Sequence, residues 1–220
     1  VLGHTSDFLA VQYLNDCKEN MDGETNAKVS TARALCPNNP RANAIVFRAL
    51  DDLIDAFQPE IIHIGGDEVE HIGGDKYCRA EAERLGRTGV LLSYFVKIRD
   101  YLQSRGVITG IWGDKLLSLS EENRYDGEKC EEKYLPKNLE LLDDLRHGTI
   151  VYDWWYTGGS EKSIRFFSEK KFNVISAASV HGCMTSIPSF DQQLNIRALF
   201  IDALDYGVKG GLVCDWINGM

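Results

Sequence analysis

Short apolar runs alternate with longer segments of helical periodicity, and this alternation most limits the folds open to the chain. Between 45 and 57, after Pro40, apolar residues recur at helical spacing, and an apolar run at 61–64 follows Pro59. Further helices are predicted at 91–103, 161–171 and 194–206, and further strands at 107–112, 149–154, 173–178 and 212–216. Strands that alternate with amphipathic helices pair in parallel through right-handed crossovers, so the sequence predicts an α/β fold.

Polar and aromatic residues gather where successive strands end. They are Asp67 and Glu68, Trp112 and Asp114, residues 153–156, residues 179–181, and Asp215 and Trp216. The strands are near-continuous apolar runs, which suits both an open doubly wound sheet and a closed barrel. A (β/α)8 barrel builds its site from the carboxyl ends of its strands, so the pattern favours a TIM barrel.

Composition excludes several functional classes. The 220 residues are 44% hydrophobic, enough for the core of one catalytic domain over 1–220. A net charge of -9 without a basic stripe opposes nucleic-acid binding. No run approaches the roughly 20 apolar residues of a membrane span. We therefore expect a small neutral or cationic ligand as the partner, with no nucleic acid, no membrane, no cofactor and no metal; the oligomeric state is not predicted.

Six cysteines are scattered along the chain without Cys-x-x-Cys spacing. We interpret them as mostly buried thiols, which favours a reducing compartment such as the cytoplasm. The charged segment 117–144 breaks the strand and helix rhythm. It is predicted to be a solvated loop, with a lid over the catalytic face as the functional alternative.

The segment Gly65-Gly66-Asp67-Glu68 places two acids directly after an apolar strand. The glycines permit turn conformations that bring both acids toward one pocket. Charge on Asp67 and burial would both raise the pKa of Glu68, so Glu68 could remain protonated near neutral pH. Paired carboxyl groups of this kind are typical of glycosidases.

Adjacent acids lie too close to flank a scissile bond as nucleophile and acid, which needs about 5 Å or more. Something else must then supply the nucleophile. The oxygen of a 2-acetamido group on the substrate meets this need. Asp67 would hold the acetamido N–H and stabilise an oxazolinium ion, while Glu68 would act as acid and then as base.

The segment from His63 to Val69 resembles the signature of glycoside hydrolase family 20, the β-N-acetylhexosaminidases. Other segments are similar to the ends of barrel strands in that family: Leu2-Gly3-His4-Thr5, 111–114, 154–156 and 211–216. The resemblance implies substrate-binding roles for His4, Trp112, Asp114, Trp154, Tyr156 and Trp216. Residues 35–37, His71 and 176–179 look closest to the branch that contains hexosaminidase D.

The sequence departs from the family pattern in three places. The seventh strand of the family usually ends in Tyr-x-Asp, and residues 176–183 contain no tyrosine. Asn218 stands where an acid often follows the last tryptophan. The chain also begins at the turn that resembles the end of the third strand. We therefore expect an incomplete barrel whose first two strands and last helix are absent from this chain.

Other interpretations of these residues remain open. His4, His63, Asp67, Glu68 and His71 could ligate zinc, although a hydrogen-bonded core histidine is the expectation for His63. His71 has two equal interpretations, in which it positions the acid or caps the loop. Asp114 could bind a sugar hydroxyl, pair with Lys115 or cap a helix. Trp112, Trp154, Trp155 and Trp216 could be core residues, but aromatic faces at strand ends favour sugar stacking.

Trp154 and Trp155 should point to opposite sides of their strand, with Trp154 and Tyr156 on the pocket side. Together these features predict an exo-β-N-acetylhexosaminidase that acts on terminal N-acetylglucosamine or N-acetylgalactosamine with retention of configuration. The alternative is a non-catalytic carbohydrate-binding or scaffolding remnant of such a barrel.

Overall fold

In a computed structural model, the structure describes residues 35–67, 69, 72–117, 136–180 and 189–215. The chain divides into two compact units, the first comprising 1–111 and 133–148 and the second 112–132 and 149–220. Five strands form one sheet in the order β1-β2-β3-β4-β5. The strand pairs β1-β2, β3-β4 and β4-β5 are parallel, which confirms the predicted α/β class.

Within the described residues the first unit contains three helices and two strands, and all but the last helix were anticipated from the sequence. They are α1 (Pro40–Phe57), β1 (Ile61–His63), α2 (Arg79–Gln103), β2 (Ile108–Trp112, whose last residue belongs to the second unit) and α4 (Pro136–Leu145). β1 and β2 pair from Ile61↔Ile108 to His63↔Gly110. Helix α1 begins because the Asn39 side chain accepts hydrogen bonds from the first free backbone N–H groups. Of the apolar residues at the predicted helical spacing, Val46 and Leu50 are buried, whereas Ile45, Leu53 and Phe57 are exposed.

Helix α2 begins at Arg79, twelve residues before the predicted start at 91. Two helices meet at Gly86, whose φ of 72° and ψ of 170° are not helical. The first part was missed because charged residues dominate 79–87 and hide its apolar spacing. The second part carries a broad buried face that includes Phe95 and Ile98.

The prediction of a loop throughout 117–144 is wrong for its last part, because α4 forms there. Asn138, Leu142 and Leu145 are buried at helical spacing. Arg99 of α2, itself 3% exposed, donates to the carbonyl oxygens of Asp144 and His147 at 2.6 and 2.7 Å. The acidic composition concealed this buried stripe. Residues 118–135, including the rest of the possible lid, lie outside the described part.

The second unit contains the remaining elements, listed here in chain order. They are α3 (Asp114–Leu117), β3 (Thr149–Trp154), α5 (Glu161–Glu169), β4 (Asn173–Ser179), α6 (Phe190–Asp205) and β5 (Gly211–Cys214). The register aligns Trp154 with Ala177 and Ser179 with Cys214, so the carboxyl ends of these strands lie together. Neighbouring strands follow chain order, as in one half of a barrel.

Helix α6 starts four residues before the predicted 194 because Ser189 and Gln192 form a reciprocal capping box. Its buried Asn195 donates to the carbonyl oxygens of Trp155 and Gly158 at 3.1 and 2.8 Å. The loop that follows β3 is therefore fixed by α6. None of the helices in the described ranges is long and apolar enough to cross a bilayer.

Candidate active site

The turn that leads to the acid pair follows β1 in the first unit. Ile64 still pairs with β2, because its N–H donates to the Gly110 carbonyl oxygen at 2.8 Å. Gly65 and Gly66 then adopt φ values of 74° and 94°. Only glycine takes such values without strain, so the chain leaves the strand direction here and presents the partly buried Asp67. Glu68 lies outside the described residues.

Gly66 is also required by its neighbour in the core. A Cβ at this position would lie 2.7 Å from Cζ of the Phe95 ring, which is fully buried on α2. The aromatic ring therefore sets how closely the backbone of the acid turn approaches α2. The glycine pair has two roles, a backbone conformation and a close approach.

His63 holds the start of this turn. Its Nδ1 accepts a hydrogen bond from the Gly65 N–H at 3.1 Å. Burial lowers the pKa of His63 to about 4, so the ring is neutral at physiological pH. With Nδ1 as acceptor, the single ring proton resides on Nε2. The contact supports the hydrogen-bonded core histidine that the sequence favoured over a metal ligand.

In the second unit, an acid and two aromatic rings form a contiguous cluster. The Trp154 Nε1–H donates to Oδ1 of Asp114 at 3.2 Å, and Asp114 is only 3% exposed. The Trp154 and Tyr156 rings pack with centroids 4.9 Å apart and planes inclined by 37°. The structure thus brings together three of the residues predicted to bind substrate.

A second aromatic contact joins the end of β2 to β3. Trp112, at the end of β2, packs edge-on against Tyr152 of β3 with centroids 6.0 Å apart. Tyr152 and Trp154 are two residues apart on β3 and therefore share one face of the sheet. Tyr152 was not predicted as a site residue, although its alternation with Trp154 was a usable signal.

Trp155 faces elsewhere, as expected from its position next to Trp154. It lines a surface groove with Ala198 and Asp202 of α6 and with the first residues of α5. In that groove Asp202 accepts a hydrogen bond from the Ser160 N–H at 2.7 Å.

Asp153 is a buried acid that the sequence analysis noted at a strand end but did not select as a site residue. It points toward α5, where the Ser163 hydroxyl donates to its Oδ2 at 2.7 Å. Burial raises the pKa of Asp153 to about 7, and the hydrogen bond from Ser163 only partly offsets this. A neutral Asp153 is therefore substantially populated near neutral pH, on the opposite face of β3 from Trp154.

His4, Glu68, His71, Trp216 and Asn218 lie outside the described residues. The residues 181–183 of the segment that lacks the expected tyrosine are also outside that part. The proposed roles of Asp67, Glu68 and the substrate-binding residues stay predictions.

Parallel strands with acids and aromatic residues at their carboxyl ends are the arrangement found in (β/α)8 barrel enzymes. The family model for the glycosyl hydrolase family 20 catalytic domain matches residues 3–180. The chain therefore belongs to glycosyl hydrolase family 20. No curated protein sequence matches this chain.

Solved structures with similar folds include three enzymes that are named for the hydrolysis of amino-sugar glycosides. A β-N-acetylhexosaminidase from Bacteroides fragilis has a TM-score of 0.55 at 15% identity, covering 84% of this chain and 36% of the other. An inactive mutant of an exo β-N-acetylglucosaminidase from Vibrio harveyi has a TM-score of 0.54 at 18% identity, and the match covers 89% of this chain and 27% of the other. Flavobacterium johnsoniae chitobiase has a TM-score of 0.59 at 15% identity, and the match covers 98% of this chain and 31% of the other. The chain thus spans about a third of the length of these proteins, and the likeness supports the fold.

Proposed function

We propose that the protein carrying this chain is an exo-β-N-acetylhexosaminidase that acts by substrate-assisted catalysis. The observation that carries the proposal is the double-glycine turn after β1, whose left-handed φ values lead into Asp67, the first of two consecutive acids in the sequence. Membership in glycosyl hydrolase family 20 supports the reaction class. The similar structures named for hexosaminidase activity agree with it.

Asp67 and Glu68 divide the chemistry between them. Glu68 protonates the leaving glycosidic oxygen, and the acetamido oxygen of the substrate attacks its own anomeric carbon from the other face. Asp67 accepts the acetamido N–H and stabilises the positive oxazolinium ion. Glu68 then deprotonates the water that opens this ion, so two inversions give net retention.

Residues of the second unit are proposed to bind the sugar. Trp112, Trp154 and Tyr156 offer aromatic faces, which stack on the apolar face of a pyranose ring. Asp114 offers carboxylate oxygens for a sugar hydroxyl, and the indole N–H of Trp154 fixes its orientation. His4 and Trp216 complete the proposed binding set from sequence alone.

A second candidate is a carbohydrate-binding remnant without turnover. The missing tyrosine in 176–183 and the presence of Asn218 favour it, because both remove contacts that hold the acetamido group and a hydroxyl in the family. Calorimetry separates the two candidates. N-acetylglucosamine binding with no hydrolysis of any β-N-acetylhexosaminide by the full-length protein would support the remnant.

The test of the proposed function is Glu68→Gln in the full-length protein. Nitrophenol release from an N-acetyl-β-glucosaminide and an N-acetyl-β-galactosaminide should fall by at least about a hundredfold, the range of general acid–base catalysis. Glu70→Gln, two residues further along the sequence, is the matched control and should keep its activity. Equal activities of the wild type and Glu68→Gln would contradict the proposal.

A further inference from the structure

Cys36, Asp75 and Cys78 form a buried cluster in the first unit, apart from the proposed catalytic acids. Cys36 and Cys78 are fully buried, and Asp75 is 7% exposed. The Cys36 thiol donates to Oδ1 of Asp75 at 3.2 Å, and its Sγ lies 3.2 Å from that of Cys78. One ligand atom from each residue lies within 4.8 Å of the others.

Backbone contacts hold the carboxylate in place. Oδ1 of Asp75 also accepts the Tyr77 N–H at 2.6 Å, and the Asp75 carbonyl oxygen accepts the N–H groups of Cys78 and Arg79. Asp75 and Cys78 are therefore two ligands of one rigid turn at the start of α2. Cys36 lies in the segment before α1. It precedes Asp75 by 39 residues in the sequence, and the fold places the two side chains in contact.

The set of donors has a definite chemical preference. Thiolate ligands select zinc-like cations over magnesium and calcium, and a carboxylate is an accepted third ligand. Sulfur atoms around tetrahedral zinc are separated by about 3.8 Å, since each Zn–S bond is about 2.3 Å. The observed 3.2 Å separation would need only a small rotation of the side chains to reach it.

Burial of the cluster also fits a cation site. All three side chains are removed from water, as the ligands of a closed structural metal site are. Both cysteines would bind a divalent cation as thiolates, because a coordinating thiol loses its proton.

We propose that Cys36, Asp75 and Cys78 bind a divalent cation of the zinc class. The site is structural, because its ligands are buried and it lies outside the acid turn. The described residues supply three ligands, and a water molecule would complete a tetrahedron. The cation would link Cys36, in the segment before α1, to the turn at the start of α2 that contains Asp75 and Cys78.

This proposal revises the expectation that the chain holds no metal. The cysteine spacing gave no zinc signal, because the two thiols are 42 residues apart in sequence. The Asp75-x-x-Cys78 spacing was visible but carries no specificity without Cys36. Only the packing of α1 and α2 brings the three ligands together.

The experiment measures zinc in the full-length protein by mass spectrometry, after purification with reductant and without chelator. We expect about one zinc per chain, lost in Cys78→Ser and retained in Cys214→Ser, whose thiol is half-buried on β5. Asp75→Asn can still accept the Tyr77 N–H, so it should fold. Its zinc affinity should fall by more than the roughly tenfold typical of losing an outer-shell partner.

A second measurement on the wild type covers the case in which Cys78→Ser does not fold. The chelator-stripped protein is titrated with Co²⁺, and a thiolate-to-cobalt charge-transfer band should saturate at one equivalent. Absence of both stoichiometric zinc and this band would overturn the proposal. A Cys36–Cys78 disulfide in the reductant-purified protein, seen as a loss of two hydrogens in the intact mass, would overturn it as well.

Discussion

The Trp154 indole N–H donates to the Asp114 carboxylate across 3.2 Å, and it joins the end of β3 to the first residue of α3. Asp114 is therefore held by a tryptophan, whereas the sequence left open a pairing with Lys115 or a helix cap. A hydrogen bond to a charged group is worth about 1.5 to 3 kcal/mol. This bond contributes to the orientation of the acid in the proposed sugar site.

Trp154→Phe should lower kcat/KM of the full-length protein by about tenfold or more. The phenyl ring retains an aromatic face for the sugar, but Asp114 loses its N–H donor, a loss of about 1.5 kcal/mol or more. Trp155→Phe is the matched control, because Trp155 lines the groove beside α6. Steady-state kinetics on a nitrophenyl N-acetylglucosaminide measure both. An equal loss in the two variants would contradict the assignment.

Gly66→Ala should destabilise the protein by about 2 to 4 kcal/mol and disrupt the acid turn. The left-handed backbone costs about 1 to 2 kcal/mol for alanine, and the clash with Phe95 adds an overpacking term of similar size. Gly86→Ala, at a φ of 72° with open space around the new Cβ, should show only the backbone cost. Urea unfolding compares the two. A Gly66→Ala variant no less stable than Gly86→Ala would contradict the role of Phe95.

The strands and the larger helices could be predicted because they are specified locally. Residues 149–154 form β3 as predicted, since their apolar run needs no distant partner to be recognised. Helix α4 could not be predicted, because its buried stripe is obscured by acidic neighbours and is decided by packing. A high content of charged residues is therefore a poor predictor of an exposed loop when a few apolar residues of the segment pack into the core.

The candidate site divides in the same way. Asp67 is identifiable because two glycines and a strand precede it in sequence. Asp153 could not be selected, because its raised pKa comes from burial against α5 and not from its sequence neighbours. The same holds for the contact between Cys36 and Cys78, which are close only in the fold. Local spacing predicts turns, whereas long-range packing decides which polar groups are buried.

His63 should make stability rise with pH between about 4 and 6.5. The folded pKa is about 4 and the unfolded value is 6.5, so the unfolded chain binds more protons in this window. Below it the folded state carries a penalty of about 3 kcal/mol, which is absent above pH 6.5. The unfolding free energy of the wild type, relative to that of His63→Asn, should therefore fall as the pH is lowered from 6.5 to 4. His147→Asn, at an exposed position, is the control, and an identical pH profile for His63→Asn and wild type would contradict the burial argument.

Asp153 should have the opposite effect across a similar range. Its folded pKa of about 7 exceeds the ordinary 3.8, so the folded state holds a proton that the unfolded chain has lost. The resulting stability is fully present below pH 3.8 and is lost as the pH rises through 7. Asp153→Asn should therefore match wild type near pH 4 and gain about 3 to 4 kcal/mol relative to it by pH 8. A constant difference between the two proteins over that range would contradict the raised pKa.

The central claim is that the acetamido group of the substrate is the nucleophile, and inhibition by a thiazoline analogue of the oxazolinium ion tests it most directly. The inhibition constant is measured for the full-length protein and compared with that of N-acetylglucosamine. We predict that the thiazoline binds at least about a hundredfold more tightly, as intermediate analogues do, and that Asp67→Asn removes most of this advantage. Equal binding of the two compounds by an active wild-type protein would contradict substrate-assisted catalysis.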